Sequence, residues 1–114
     1  MHLVTSVQRI RDASIPFVIY DRHAYVFSAV PSERLEDLGR LDWETIRSHT
    51  WNNTSDDPNR KERKMAEFLA KQFVPWKCIQ GIGVFSQSYR DDVKAVLDEH
   101  YDQTVVQIKQ NWYY

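Results

Sequence analysis

The sequence predicts an α+β fold, and three observations lead there. Short apolar runs of strand length, Phe17-Val18-Ile19-Tyr20 and Gly81-Ile82-Gly83-Val84-Phe85, are interleaved with helical segments. Tyr89, Val93, Val96, Leu97 and Tyr101 recur at helical spacing, which makes residues 88–101 the clearest helix. At 114 residues the chain can bury one modest core and not two, so residues 1–114 read as a single domain.

The elements follow in order. His2-Leu3-Val4-Thr5-Ser6 reads as a strand end running into a helix. Thr5, with Gln8 three residues on, has the form of a capping box and predicts a helix over residues 6–13. Ile15-Pro16 breaks it, and Phe17 to Tyr20 is a short buried strand. Asp21-Arg22-His23 is a polar break before a mixed apolar segment, residues 24–30. Pro31 starts a short helix through Leu35, and Asp42 caps another over residues 43–47. Residues 48–59 are loop, with Asp57-Pro58 as the turn signal. Met65, Phe68, Leu69 and Phe73 fit a helix, yet Phe68-Leu69-Ala70 equally begins a strand; Val74-Pro75-Trp76 ends the segment either way. Residues 104–109 form the last strand, ahead of Asn111-Trp112-Tyr113-Tyr114. Trp43, Trp76, Tyr89 and Trp112 are assigned to packing. No repeat, low-complexity tract or linker interrupts the chain.

Composition narrows the function classes. The net charge of −1 gives no global field that would steer the chain toward nucleic acid, so such binding needs a local patch. The densest basic patch is Arg60, Lys61, Arg63 and Lys64. A single cysteine, Cys78, excludes an internal disulfide and suits a reducing cytoplasm. No signal peptide or membrane-length apolar run is present, so no membrane partner is expected. Two overlapping glycosylation sequons, beginning at Asn52 and Asn53, are therefore read as chance.

The run from Trp51 to Phe68, WNNTSDDPNRKERKMAEF, carries the most chemistry. A turn-rich loop leads into the four cations, and these lead to one carboxylate, Glu67, beside Phe68-Leu69-Ala70. Cations that hold a polyanion, next to a partly desolvated acid, suit chemistry on a phosphate-bearing substrate. A solvated basic loop with Glu67 on a wet helix face accounts for the same residues. Other site types are set aside. Gly81-Ile82-Gly83 lacks the third glycine and lysine of a phosphate loop. His2, His23, His49 and His100 are scattered and Cys78 has no cysteine partner, so no metal site is expected. No nucleophile elbow is present.

Taken in order, several motifs resemble one family. They are Leu41-Asp42-Trp43-Glu44, Trp51-Asn52, Asp57-Pro58-Asn59-Arg60-Lys61, Ala66-Glu67-Phe68-Leu69, Val74-Pro75-Trp76, Gly81-Ile82-Gly83-Val84 and Trp112-Tyr113-Tyr114. Leu3-Val4, Ser6-Val7-Gln8-Arg9, Ile15-Pro16-Phe17-Val18 and Asp21-Arg22-His23-Ala24 fit it as well. Together they resemble the DarT family, bacterial toxins that ADP-ribosylate DNA, over essentially the whole chain.

That resemblance implies an ADP-ribosyltransferase fold: a split, mostly antiparallel sheet with flanking helices and an NAD cleft. It implies transfer of ADP-ribose from NAD to a base of single-stranded DNA, thymine in one branch and guanine in another. Thymine is the favoured expectation. The family's partner is an antitoxin whose macrodomain removes the mark. By resemblance the catalytic glutamate is Glu67, the segment before it is the substrate loop, and Phe68 begins a strand. His23 matches a family histidine near the DNA, although a plain turn histidine reads equally well. Arg60, Lys61, Arg63 and Lys64 would contact phosphates, with Trp51 and Asn52 on the same strand. Trp51 can stack on a base or serve the core.

The chain departs from the family in one respect. Complete members carry, ahead of this segment, a strand with an NAD-binding histidine and a helix with an NAD-binding arginine. This sequence resembles the C-terminal, acceptor-side part alone, and Arg9 and Arg11 do not match the arginine. A second chain supplying the NAD-binding half is one expectation, and inactivity in isolation another. The competing reading is a non-catalytic remnant that binds single-stranded DNA or the antitoxin.

Overall fold

The computed structural model describes residues 1–113; the expectation for Tyr114 lies outside them. The chain is a mixed α+β protein with two three-stranded sheets. Its residues group into two compact units: Pro16–Gln72, and Met1–Ile15 with the described part of Phe73–Tyr114. Among the described residues no helix is long and apolar enough to cross a membrane.

In the unit formed by the chain ends, the strands are β1 (His2–Val4), β5 (Gly81–Val84) and β6 (Val105–Ile108), in the order β1-β5-β6. β1 is antiparallel to β5, with Leu3 opposite Ile82; β6 is parallel to β5, with Val106 opposite Ile82. A parallel pair requires a crossover, and α4 (Gln87–Glu99) supplies it. Ile82, Val84, Leu97 and Val106 form the core here, with Val93 packed against it. The stripe on α4 is narrower than its spacing predicts, because Tyr89, Val96 and Tyr101 are 59%, 56% and 95% exposed. A sheet of three short strands covers only the Val93–Leu97 line. Gly83 has a packing reason: a Cβ there would stand 2.5 Å from Trp112 Cζ3.

The first helix, α1 (Val7–Asp12), is capped by Ser6 rather than Thr5. Ser6 Oγ accepts the Arg9 N–H at 3.2 Å, while the Thr5 hydroxyl donates to Cys78 O at 2.6 Å. Both α-helices described in this unit are followed by a left-handed non-glycine residue, Ser14 (φ 56°) and Tyr101 (φ 54°). In each case the next N–H reaches back five residues, Ile15 to Ile10 O and Asp102 to Leu97 O.

The other unit is built on β2 (Phe17–Tyr20), β3 (Pro31–Ser32) and β4 (Glu67–Ala70), in the order β3-β2-β4 and antiparallel throughout. Ile19 is buried, and Phe17 stacks on Phe68 with ring centroids 4.8 Å apart. The expected helix at Pro31 is instead an edge strand, followed by a 3-10 helix at Leu35–Arg40. Proline has no ladder donor, so an edge strand tolerates it. Asp42 caps α2 (Trp43–Arg47) as its sequence predicts, accepting the Thr45 N–H at 3.0 Å. Residues 48–59 form the loop, and a short helix not foreseen from the sequence, α3 (Arg60–Lys64), precedes β4. The choice between helix and strand after Met65 falls to strand, since residues 67–70 pair with Phe17–Tyr20.

Trp43, Trp76, Tyr89 and Trp112 are all partly exposed rather than core. The first two anchor their indole N–H groups, Trp43 to Leu38 O at 2.8 Å and Trp76 to Asp102 Oδ2 at 2.6 Å. Trp112 packs on Gly83.

Candidate active site

Every residue singled out for chemistry lies in the Pro16–Gln72 unit. Glu67 heads β4, opposite Tyr20 on β2, and is half-buried. Its Oε2 accepts the backbone N–H of Ala24 at 3.1 Å. The turn leaving β2 is thereby fastened to the carboxylate that heads the neighbouring strand.

That turn is closed by its own hydrogen bonds. Asp21 Oδ1 accepts the Val30 N–H at 2.9 Å, and Arg22 donates to Ser28 Oγ at 3.2 Å. Val26 N–H bonds to His23 O at 3.0 Å, and Ala29 N–H to Val26 O at 2.9 Å. The His23 N–H donates to Glu62 O at 3.0 Å, which ties the turn to α3. His23 Nδ1 accepts the Tyr25 N–H at 3.1 Å, so the proton of the neutral ring sits on Nε2 as a donor.

The cations of α3 are mostly engaged inside this unit. Arg63 reaches Asp42 Oδ2 through Nε at 3.0 Å and Asp57 Oδ1 at 2.7 Å. Arg60 donates to Thr50 O at 3.1 Å, Ser48 Oγ at 2.6 Å and Asp57 Oδ2 at 3.3 Å. Lys64 Nζ bonds to Ile46 O at 3.0 Å and also to Ser48 O, and it lies 4.7 Å from the centre of the Trp51 ring. These carbonyls end α2, where a cation satisfies orphan acceptors and the helix dipole together. Trp51 is half-buried and Asn52 exposed. Lys61 differs from the other three: its backbone N–H binds Asn53 Oδ1 at 2.8 Å and its side chain is exposed.

Charge follows this geometry. The Arg63 hydrogen bond, with Arg60 in support, holds the Asp57 carboxyl below the ordinary carboxylate range. The Thr45 hydroxyl and N–H, and then Arg63, do the same for Asp42. Arg63 is held more firmly protonated, by Asp57 first and Asp42 second. The loop of residues 48–59 is thus pinned at several points by α3, and the two carboxylates are as much part of the site as the cations.

Sequence reasoning passed over Asp42 and Asp57 as partners of Arg63, the Ala24 N–H, and the aromatics of the turn, Tyr25 and Phe27. The spacing of Asp57 and Arg60, three residues apart, was a usable signal for one ion pair. Nothing local signals the Ala24 contact, which spans 43 residues of sequence.

Comparison with known proteins sets this arrangement in a family. The family model described as DarT, an ssDNA thymidine ADP-ribosyltransferase, matches residues 1–114. A DNA ADP-ribosyl transferase of Thermus aquaticus is 38% identical over 116 residues, covering 100% of this chain and 50% of the relative. One from Escherichia coli O127:H6 is 28% identical, covering 98% of this chain and 51% of its own length. Among solved structures, the DarT of Thermus sp. 2.9 in complex with carba-NAD+ superposes with a TM-score of 0.89 at 36% identity. Its complex with ADP-ribosylated ssDNA gives 0.90, covering 99% of this chain and 54% of that one. The chain spans about half the length of the curated relatives it matches. From this match over its full length, the chain belongs to the DarT family.

Proposed function

We propose that this chain is the acceptor-side part of an enzyme that transfers ADP-ribose from NAD to a base of single-stranded DNA, with thymine the favoured base and Glu67 the catalytic residue. The observation that carries the reading is Glu67 itself: a half-buried carboxylate at the head of β4, in a chain similar to DarT throughout. Breaking the bond between nicotinamide and ribose builds positive charge on the sugar, as in the oxocarbenium-like transition states of glycoside hydrolysis. One oxygen of Glu67 takes the Ala24 N–H, and the other is left for a ribose hydroxyl. The carboxylate then steadies the developing charge and can accept the proton lost by the attacking base. The fold in this reading is that of an ADP-ribosyltransferase. Polypeptide equivalent to the other half of the relatives, in the same chain or a second one, supplies most NAD contacts. His23, Trp51, Asn52 and Lys61 face the DNA strand, with remaining guanidinium donors of Arg60 and Arg63 in support, while Lys64 Nζ is engaged by the carbonyls of Thr45, Ile46 and Ser48. The partner that reverses the modification is a macrodomain antitoxin, as in the family.

The test is NAD-dependent labelling of a short single-stranded oligonucleotide by a polypeptide of the relatives' full length that contains these 114 residues. Glu67→Gln is expected to lower labelling by about 10²–10³, the loss typical of one preorganised charge-stabilising group, without loss of fold. Undiminished labelling by the folded variant removes Glu67 from its role. The exposed Lys61 of the basic segment also suits a second reading, a non-catalytic remnant that binds single-stranded DNA or the antitoxin through that segment. In that case the longer polypeptide labels nothing while the 114 residues still bind single-stranded DNA.

A further inference from the structure

The turn after β2 presents two aromatic side chains to solvent: Tyr25 is 94% exposed and Phe27 107%. At the tip of the turn both rings keep their faces open, and the Tyr25 ring lies 5.5 Å from that of His23. The turn is not a slack loop, because the Asp21–Val30, His23–Val26 and Val26–Ala29 hydrogen bonds close it. Its backbone is fastened on one side to Glu67, through Ala24 N–H, and on the other to α3, through His23 N–H and Glu62 O. Tyr25 follows Ala24 directly, and the exposed Lys61 directly precedes Glu62. One hydrogen-bonded frame therefore carries a carboxylate, an exposed cation and two exposed rings.

We infer that Tyr25 and Phe27 form a stacking platform for unpaired bases flanking the modified base of the acceptor strand. This rests on the acceptor reading proposed for Glu67. A single strand has three things to offer such a frame: phosphates for Lys61, a target base for Glu67, and neighbouring bases with π-faces. Stacking tolerates any base, so the platform adds affinity and holds the strand without reading its sequence. The rigidity of the turn lowers the ordering cost of that contact. It also joins strand binding to the backbone that steadies the carboxylate.

The experiment compares binding of a short oligothymidylate and an abasic strand of equal length to the 114-residue chain, measured by fluorescence anisotropy across salt. Tyr25→Ala with Phe27→Ala is expected to weaken oligothymidylate binding by about 5- to 150-fold per stack lost, with the salt slope unchanged. Binding of the abasic strand should not respond, and Tyr25→Trp with Phe27→Trp should retain the affinity. Both positions are exposed, so circular dichroism should report an intact fold. Oligothymidylate binding unchanged by the double alanine substitution overturns the platform while leaving the acceptor reading in place. Equal weakening on both strands also overturns it. If the double substitution turns a dimer into a monomer by sedimentation, with DNA affinity unchanged, the rings serve self-association and the proposal fails. If the unsubstituted chain binds neither strand, the acceptor reading fails and the platform with it.

Discussion

Asp57 accepts hydrogen bonds from Arg60 and Arg63, and Asp42 both caps α2 and receives Arg63. Single exposed ion pairs contribute about 0–1 kcal/mol, but a shared network around two carboxylates holds geometry better than its members alone. The pH dependence follows from the sign of the shifts. Both aspartates have folded pKa values below their ordinary ones, so the unfolded chain takes up protons first as pH falls. Their contribution to stability is complete above the ordinary aspartate value of about 3.9 and is lost as pH drops through the folded values. Thermal midpoints followed by circular dichroism should therefore fall more steeply below about pH 4 in the unsubstituted protein than in Asp57→Asn. Identical pH profiles would mean that Asp57 contributes nothing. Residue by residue, the setting of Glu67 at the edge of an apolar run could be read from the sequence, whereas its proposed role comes from the family resemblance. Tyr25 and Phe27 were not legible, because apolar side chains read as interior until the fold shows them outside.

At the scale of elements, α3 is a clamp made of cations. A five-residue segment, far too short to hold as an isolated helix, owes its shape to the partners it grips, α2 and the loop of residues 48–59. Its side chains therefore divide into holders and a free end. Lys61→Gln is expected to flatten the slope of log affinity for single-stranded DNA against log salt by about 0.7, the value of one phosphate contact. The melting temperature should not change. Arg63→Met should instead lower stability, with little further change in slope. Anisotropy titrations at several salt concentrations, paired with melts, check both. A Lys61→Gln slope identical to that of the unsubstituted chain would return Lys61 to ordinary surface. Strands with strong local patterning were legible, as β2, β5 and β6 show within a residue or so. Pro31 and α3 were not, because an edge-strand proline and a tertiary clamp depend on partners far along the chain.

For the whole molecule, interleaved apolar runs were enough to give the α+β class. The split sheet was expected from the family resemblance alone, and its strand pairing was beyond local reading, since β1 pairs with a strand some 80 residues later. Pairing at that distance leaves no local trace. The relatives are about twice the length of this chain, and their NAD+ and carba-NAD+ complexes involve chains of which it covers 57%. In the proposed reading most of the donor contacts come from that other half. Calorimetric titration of the 114 residues with NAD is expected to give no micromolar affinity, and such an affinity would move the donor site into this half.

The bond from the Ala24 N–H to Glu67 Oε2 also gives the molecule a built-in reporter. A backbone proton facing a carboxylate oxygen resonates differently when that oxygen is charged, neutral or turned away. In an amide-correlation spectrum, the single Ala24 peak would register both the ionisation and the orientation of Glu67, with no substitution or dye attached. Adding an oligonucleotide or a donor analogue would then show whether either ligand is felt at the carboxylate before any chemistry occurs.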